Sequence, residues 1–158
     1  MTVVRLLGAS LLLAAGIVFL RSYGKYERER IKTACSLLAF LRRATDEARA
    51  YLTPISEIVS STEDELLIAR GFVSEYKETL SLSSAYKRVA GRYSGRVFSL
   101  LEEALSRLGG RIPSPMDNAE IDRISAEAEV ERESAEKNIK IRGTLTIAAV
   151  LGIIILFL

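Results

Sequence analysis

Two stretches of the chain are apolar all round, and between them the apolar residues recur every three or four positions. Residues 3–20 hold one charge, Arg5, and residues 144–158 hold none, whereas the stretch from Arg21 to Arg142 carries nearly every ionisable side chain. A helix that is apolar on every side belongs in a core or in lipid, and one with an apolar stripe belongs on the surface of a core. The middle of the chain lacks the apolar helices that would be needed to sheathe both end segments. The pattern therefore predicts transmembrane helices over 1–20 and 143–158, with a soluble helical domain over 21–142 between them.

Within that domain the first stripe is Ile31, Ala34, Leu38, Leu41, Thr45, Ala48 and Leu52, widened by Leu37, Phe40 and Tyr51. It predicts a helix over about 25–53, ended by Pro54, which lacks a backbone donor and clashes with the preceding turn. Gly24 is the one weak helix former before it, so this helix and the first span can form one rod. Thr62 and Glu65 have capping-box spacing and open a helix over about 63–80 with Leu66, Ala69, Val73, Tyr76 and Leu80 on its stripe. The serine-rich "SLSS" reads as a break before a helix over about 85–108, which Gly91 and Gly95 interrupt and Gly109-Gly110 ends. Pro113 and Pro115 mark a turn. The last helix, about 118–142, has Asp117 and Glu120 at capping distance and the i,i+4 pairs Glu133–Lys137 and Glu136–Lys140, worth a few tenths of a kcal/mol each. It runs without a stop into the second span. No segment alternates with period two for long, so the expected class is all-α: an antiparallel cytoplasmic helical bundle with an N-terminal and a C-terminal transmembrane helix.

Length and charge shape the membrane reading. The C-terminal run is about 15 residues, roughly 22 Å of helix, against about 30 Å of hydrocarbon, so it spans with Lys140 and Arg142 snorkelling and the bilayer thinned. The alternative is a buried terminal helix. At the other end the alternative is a cleaved signal peptide, against which stand the absence of a small-x-small cleavage pattern after Leu20 and the cations Arg21, Lys25, Arg28, Arg30 and Lys32 beyond it. With Lys137, Lys140 and Arg142 before the second run, the positive-inside rule places the middle of the chain in the cytoplasm. Cys35 is the one cysteine. In an apolar helical stretch it reads as a buried, inert thiol.

Composition removes much chemistry. The chain has no histidine, the usual general base and commonest metal ligand. Its serines lack a nucleophile motif, and its glycines lack the spacing of a phosphate loop. The reading is no enzyme, no cofactor and no metal. "AYKRVAGRYSGR" sets Lys87, Arg88, Arg92 and Arg96 among Tyr86 and Tyr93, a pattern that fits a solvated helix face with inward tyrosines, a dock for an acidic protein, anionic lipid or nucleic acid, the last being set aside. The acidic helix from Asp117 to Glu136 opposes it in sign. Such faces favour assembly with charged partners, and contact between the two within one molecule would give the same sequence pattern. In the spans, Ser10 with Ala14 and Ala148 with Gly152 have the four-residue spacing that lets helices pack closely, within one chain or between copies in a homo-oligomer.

The opening "LLGASLLLAAG", the juxtamembrane "YERER", "LTPISE" from Leu52 to Glu57 and the closing "ERESAEKNIKIRGTLTIAAVLGIIILFL" make the chain resemble the stage III sporulation protein AB family of spore-forming bacteria. The resemblance covers about half the chain, mostly its two ends. It implies a membrane component of the channel-like secretion complex between mother cell and forespore, with a soluble domain similar to the cytoplasmic bundles of type II secretion platform proteins. Such a protein lies in the outer forespore membrane and couples a cytoplasmic secretion ATPase to other membrane subunits. The alternative is a small oligomeric pore-former of the holin type, and a third is a cleaved, extracytoplasmic, tail-anchored protein.

Overall fold

The computed structural model describes residues 2–110 and 118–157, and among these every regular element is an α-helix. Helix α1, Thr2–Ala50, is a single element. Its second half buries Thr33, Ala34, Leu37, Phe40, Leu41, Ala44 and Thr45, the three-and-four spacing of one helix face. Each fully buried leucine contributes about 1.5–3 kcal/mol over an exposed one. The face is rotated from the one the stripe predicts: Ile31 and Leu38 are half-buried, and Cys35, expected inside, is exposed one position beyond Ala34. The last backbone bond beyond the helix runs from Tyr51 N–H to the Glu47 carbonyl at 3.0 Å. Leu52 then takes a left-handed φ of 53°, so the helix stops three positions short of the predicted 53, ahead of Pro54.

Four short helices follow: α2, Ile55–Ser60; α3, Glu65–Ala69; α4, Phe72–Thr79; and α5, Leu82–Ala90. Sequence periodicity predicts no α2, because six residues are too few to show a period. Its Ile58 and Val59 are nevertheless fully buried. The Thr62–Glu65 capping box does not form. Thr62 Oγ1 donates to the Ile58 carbonyl at 3.3 Å, and Asp64 caps α3 by accepting from Leu67 N–H at 2.9 Å. The helix expected over 63–80 is two elements, divided at Gly71, whose φ is 82°. Ser81, expected in a break, is the N-cap of α5 and accepts from Ser84 N–H at 3.2 Å. Serine in a helix interior competes with the backbone; at a cap the same hydroxyl replaces a missing bond. Helix α6 is Arg96–Leu108 and α7 is Asn118–Phe157. The expected Asp117 cap and the turn with Pro113 and Pro115 lie outside the described residues.

The chain forms two compact units, one of Arg30–Glu131 and one of Met1–Glu29 with Arg132–Leu158. The first is a helical bundle with a continuous core that includes Leu37, Leu41, Leu67, Phe72, Leu82, Val89, Val97, Leu101 and Leu105. Phe40 and Phe72 meet edge to face at 4.9 Å, bringing α1 against α4. Arg43 donates to the carbonyl of Ser61 at 3.0 Å and tethers the end of α2 to α1. Within this unit Arg30 pairs with Glu131, Arg42 with Asp122 at 3.1 Å, and Arg49 with Asn118 at 3.1 Å. Each step along α1 is thus matched by a step back along α7.

In the second unit Gly16 lies against α7. A Cβ there would stand 3.3 Å from Val150 Cγ2 and 3.4 Å from Thr146 Cγ2. The Arg142 guanidinium carbon lies over the Tyr23 ring, 4.5 Å from its centroid. Many apolar side chains of this unit point outward: Leu11 is 69% exposed, Val18 66%, Leu145 63% and Ile155 74%. By length and composition one helix among the described residues, α1, can cross a membrane, and the apolar window of that helix is only 6% buried. A signal sequence near an N-terminus meets the same measure, but a soluble core helix would be covered.

Candidate functional site

The basic segment predicted as a docking face spans α5, the turn after it and the start of α6. Leu82, Ala85, Tyr86, Val89 and Ala90 fix α5 in the core. That leaves Lys87 and Arg88 on the exposed face. Both tyrosines of the segment point inward. Tyr86 is 3% exposed and donates to the Phe98 carbonyl at 2.8 Å. Burial, reinforced by the Glu102 carboxylate, pushes its phenol up to about 12.

Tyr93 is the centre of a polar cluster. Its hydroxyl accepts from Arg70 Nη1 at 2.9 Å and Arg92 Nη2 at 2.7 Å, and Arg70 Nη1 also donates to Thr33 Oγ1 at 2.7 Å. Burial alone would raise the Tyr93 phenol, but the hydrogen bonds with Arg70, Arg92 and Thr33 and the Arg70 charge outweigh it and hold the group below its ordinary value. The two guanidinium groups also flank the ring, at 5.7 and 4.9 Å from its centroid. This arrangement ties α1, the end of α3 and the loop before α6 together through one phenol.

Beside it, Gly95 precedes α6 with φ 140° and ψ 166°, a conformation open to glycine alone, and offers no side-chain cap. The cap comes from α7. Glu131 Oε1 accepts from Val97 N–H at 3.1 Å, while the same carboxylate pairs with Arg30. A negative charge at a helix N-terminus is favoured by the exposed N–H groups and the helix dipole. Gly95 is needed for space as well, since a Cβ would lie 3.1 Å from both Arg30 Nη2 and Glu131 Oε1.

The predicted docking cations are all exposed, and the acidic helix reaches Arg96 among them. Arg96 Nε lies 3.7 Å from Glu127, Lys87 Nζ lies 3.9 Å from Glu102, and Arg92 is held on Tyr93. Arg88 crosses the surface next to Gly71. Nearer the start of α7, Glu120 pairs with Arg107 at 3.0 Å and Asp122 with Arg42. The opposed charge faces read from the sequence thus meet in part, at Arg96 and Glu127, on the surface of the bundle.

Of the predicted packing residues, Ser10 donates to its own helix at Leu7 and is exposed, as are Ala14, Ala148 and Gly152. Gly152 faces open space, and Gly16 is the glycine at the close approach. Arg70, Thr33, Glu131 and Gly16 escape sequence reading because their roles depend on partners distant in the chain. One local signal exists: a glycine before "RVFSLL" leaves a helix without its own cap. Among the described residues no group of His, Cys, Asp or Glu is placed to hold a metal ion. Compared with protein-family models, curated proteins and solved structures, the chain matches none.

Proposed function

We propose that the chain is a non-enzymatic membrane platform, an antiparallel helical bundle held on the cytoplasmic side by two spans, 1–20 and 143–158. The observation that carries this reading is the outward apolar surface of α1, where Leu7, Leu11, Ile17, Val18 and Phe19 are each between 48% and 69% exposed. Burying such surface drives association, and a bilayer covers it without a protein partner. The exposed Leu145, Ile147, Leu151 and Ile155 of α7, in the same compact unit, support a second span. The resemblance to the stage III sporulation protein AB family gives the platform its task. In the channel-like complex between mother cell and forespore it couples a secretion ATPase to the other membrane subunits, using the exposed Lys87, Arg88, Arg92 and Arg96 as the dock.

Two measurements test this. Carbonate washing should leave the chain in the membrane, and protease added to intact cells should leave the bundle uncut; release or digestion overturns the anchoring and its orientation. Pull-down with the cognate ATPase should weaken on Arg88→Glu and be lost when Arg92 and Arg96 are also reversed. Tight binding unaffected by reversal removes this face as the dock.

A further inference from the structure

The apolar surface of the unit containing Gly16 and Val150 ends in a band of cations. Along α1 from Leu7, the first charges are Arg21 and Lys25, both exposed, and no carboxylate appears before Glu27. Back along α7 from Phe157, the first charges are Arg142, Lys140 and Lys137, all exposed, and no carboxylate appears before Glu136. The contact of Arg142 with Tyr23 puts the two series at one level. At about 1.5 Å of rise per residue, Arg21, Lys25, Lys140 and Arg142 fall within about 6 Å along the helices. Immediately beside them stand the exposed side chains Phe19, 54%, and Leu145, 63%. The carboxylates lie on the far side of the band, Glu27 buried and Glu136 exposed.

We propose that this band is a binding site for the headgroups of anionic phospholipids, an inference that rests on the membrane reading of the same unit. The surface demands a ligand that is apolar on one side and anionic on the other, within a few ångströms. A phospholipid has that shape: its acyl chains cover Leu11, Val18 and Leu145 while its phosphate meets the cations. Arg142, held over the Tyr23 ring at the edge of the apolar surface, is suited to the phosphate because a guanidinium offers several N–H donors in a planar fork that matches phosphate oxygens. Lysines at 25 and 140 add compact charge, and each juxtamembrane cation strengthens attraction to an anionic leaflet.

The test uses the full chain in vesicles of phosphatidylcholine, with or without phosphatidylglycerol, and spin-labelled forms of both lipids. Retention of the chain after carbonate washing checks the anchoring separately. The expected result is retention in both vesicles, with labelled phosphatidylglycerol enriched severalfold over phosphatidylcholine in the immobilised layer, and a preference that shrinks as salt is raised. It should disappear in Arg21→Gln/Lys25→Gln/Lys140→Gln/Arg142→Gln, and should persist in Arg28→Gln/Lys32→Gln, about one and two turns further from the apolar surface. If the fourfold variant does not insert, Lys25→Gln/Lys140→Gln supplies the reading, with the preference reduced. Retention with equal immobilisation of the two lipids overturns the headgroup site and leaves the anchoring standing. A preference unchanged in the variants also overturns it, since the anionic lipid would then be held elsewhere. Loss from both vesicles overturns the membrane reading and the site with it.

Discussion

The same two helices behave in opposite ways in the two units. On α1, Leu37 and Leu41 are at 0% exposure, whereas Leu11 and Val18 are at 69% and 66%. On α7, Ile121 and Ile124 are at 2%, whereas Leu145 and Ile155 are at 63% and 74%. Residue type does not make this difference, for the side chains are the same aliphatic ones. Neighbours do. Between Arg30 and Glu131 the helices α2 to α6 supply partners for one face of α1 and α7, and outside that range, among the described residues, the remaining segments of α1 and α7 form a unit of their own. A helix pair buries one stripe on each member, so the rest of an all-round apolar surface stays uncovered unless lipid covers it.

The comparison is broken most directly by matched truncations in the full chain, purified in detergent micelles and unfolded with denaturant. Leu41→Ala removes a side chain from a closed core and should cost about 2–5 kcal/mol. Leu11→Ala removes a similar side chain from an open surface and should change the stability of the bundle by less than about 0.5 kcal/mol. Equal losses would mean that the N-terminal apolar segment is covered by protein, and the contrast between the units would vanish.

A second, smaller effect sharpens what closes the bundle. Glu131→Ala removes the cap of α6 and leaves the Arg30 guanidinium without its carboxylate, and should cost about 2 kcal/mol. The pair is only partly exposed, 20% and 24% at the two side chains, so the loss should exceed that of a surface ion pair. Arg42→Ala, whose Asp122 partner is 72% exposed, serves as the surface comparison and should cost under about 1 kcal/mol. Similar losses for the two would show that the cap adds nothing.

What could be read in the sequence follows the same division. Long periodic segments declare themselves: α1, α6 and α7 each carry the apolar spacing read from the sequence, although α1 ends at Ala50 and the stretch read as 85–108 is divided between α5 and α6. Short elements do not. The six residues of α2 are too few for a period, and α3 and α4 share one stripe that only the left-handed Gly71 divides. Charge placement was legible as two faces of opposite sign, but not as Arg96 with Glu127 or Arg30 with Glu131, because a pairing depends on tertiary register. Tyr93 reads as one more inward aromatic. Its two arginines come from distant and adjacent positions, and only the distant one, Arg70, required the fold to be found.

The smallest effect separates burial from hydrogen bonding on a single helix. Thr33 and Thr45 both lie on the inner face of α1 at 0% exposure. Thr33 Oγ1 accepts from Arg70, whereas Thr45 Oγ1 has no hydrogen-bond partner among the described residues. A buried hydroxyl without a partner gives up its hydration for nothing, and valine has nearly the same shape with a methyl group in its place. Thr45→Val should therefore stabilise the bundle by about 1 kcal/mol. The same change at Thr33 leaves an Arg70 N–H without one acceptor and should destabilise by about 1 kcal/mol or more. Opposite signs in paired denaturant titrations are the expected outcome. If both valines stabilise, the Arg70–Tyr93 cluster gains nothing from Thr33, and apolar burial alone governs that face of α1. If both destabilise, the Thr45 hydroxyl is satisfied in the folded protein, and the buried face of α1 holds a second polar contact besides the one Thr33 makes.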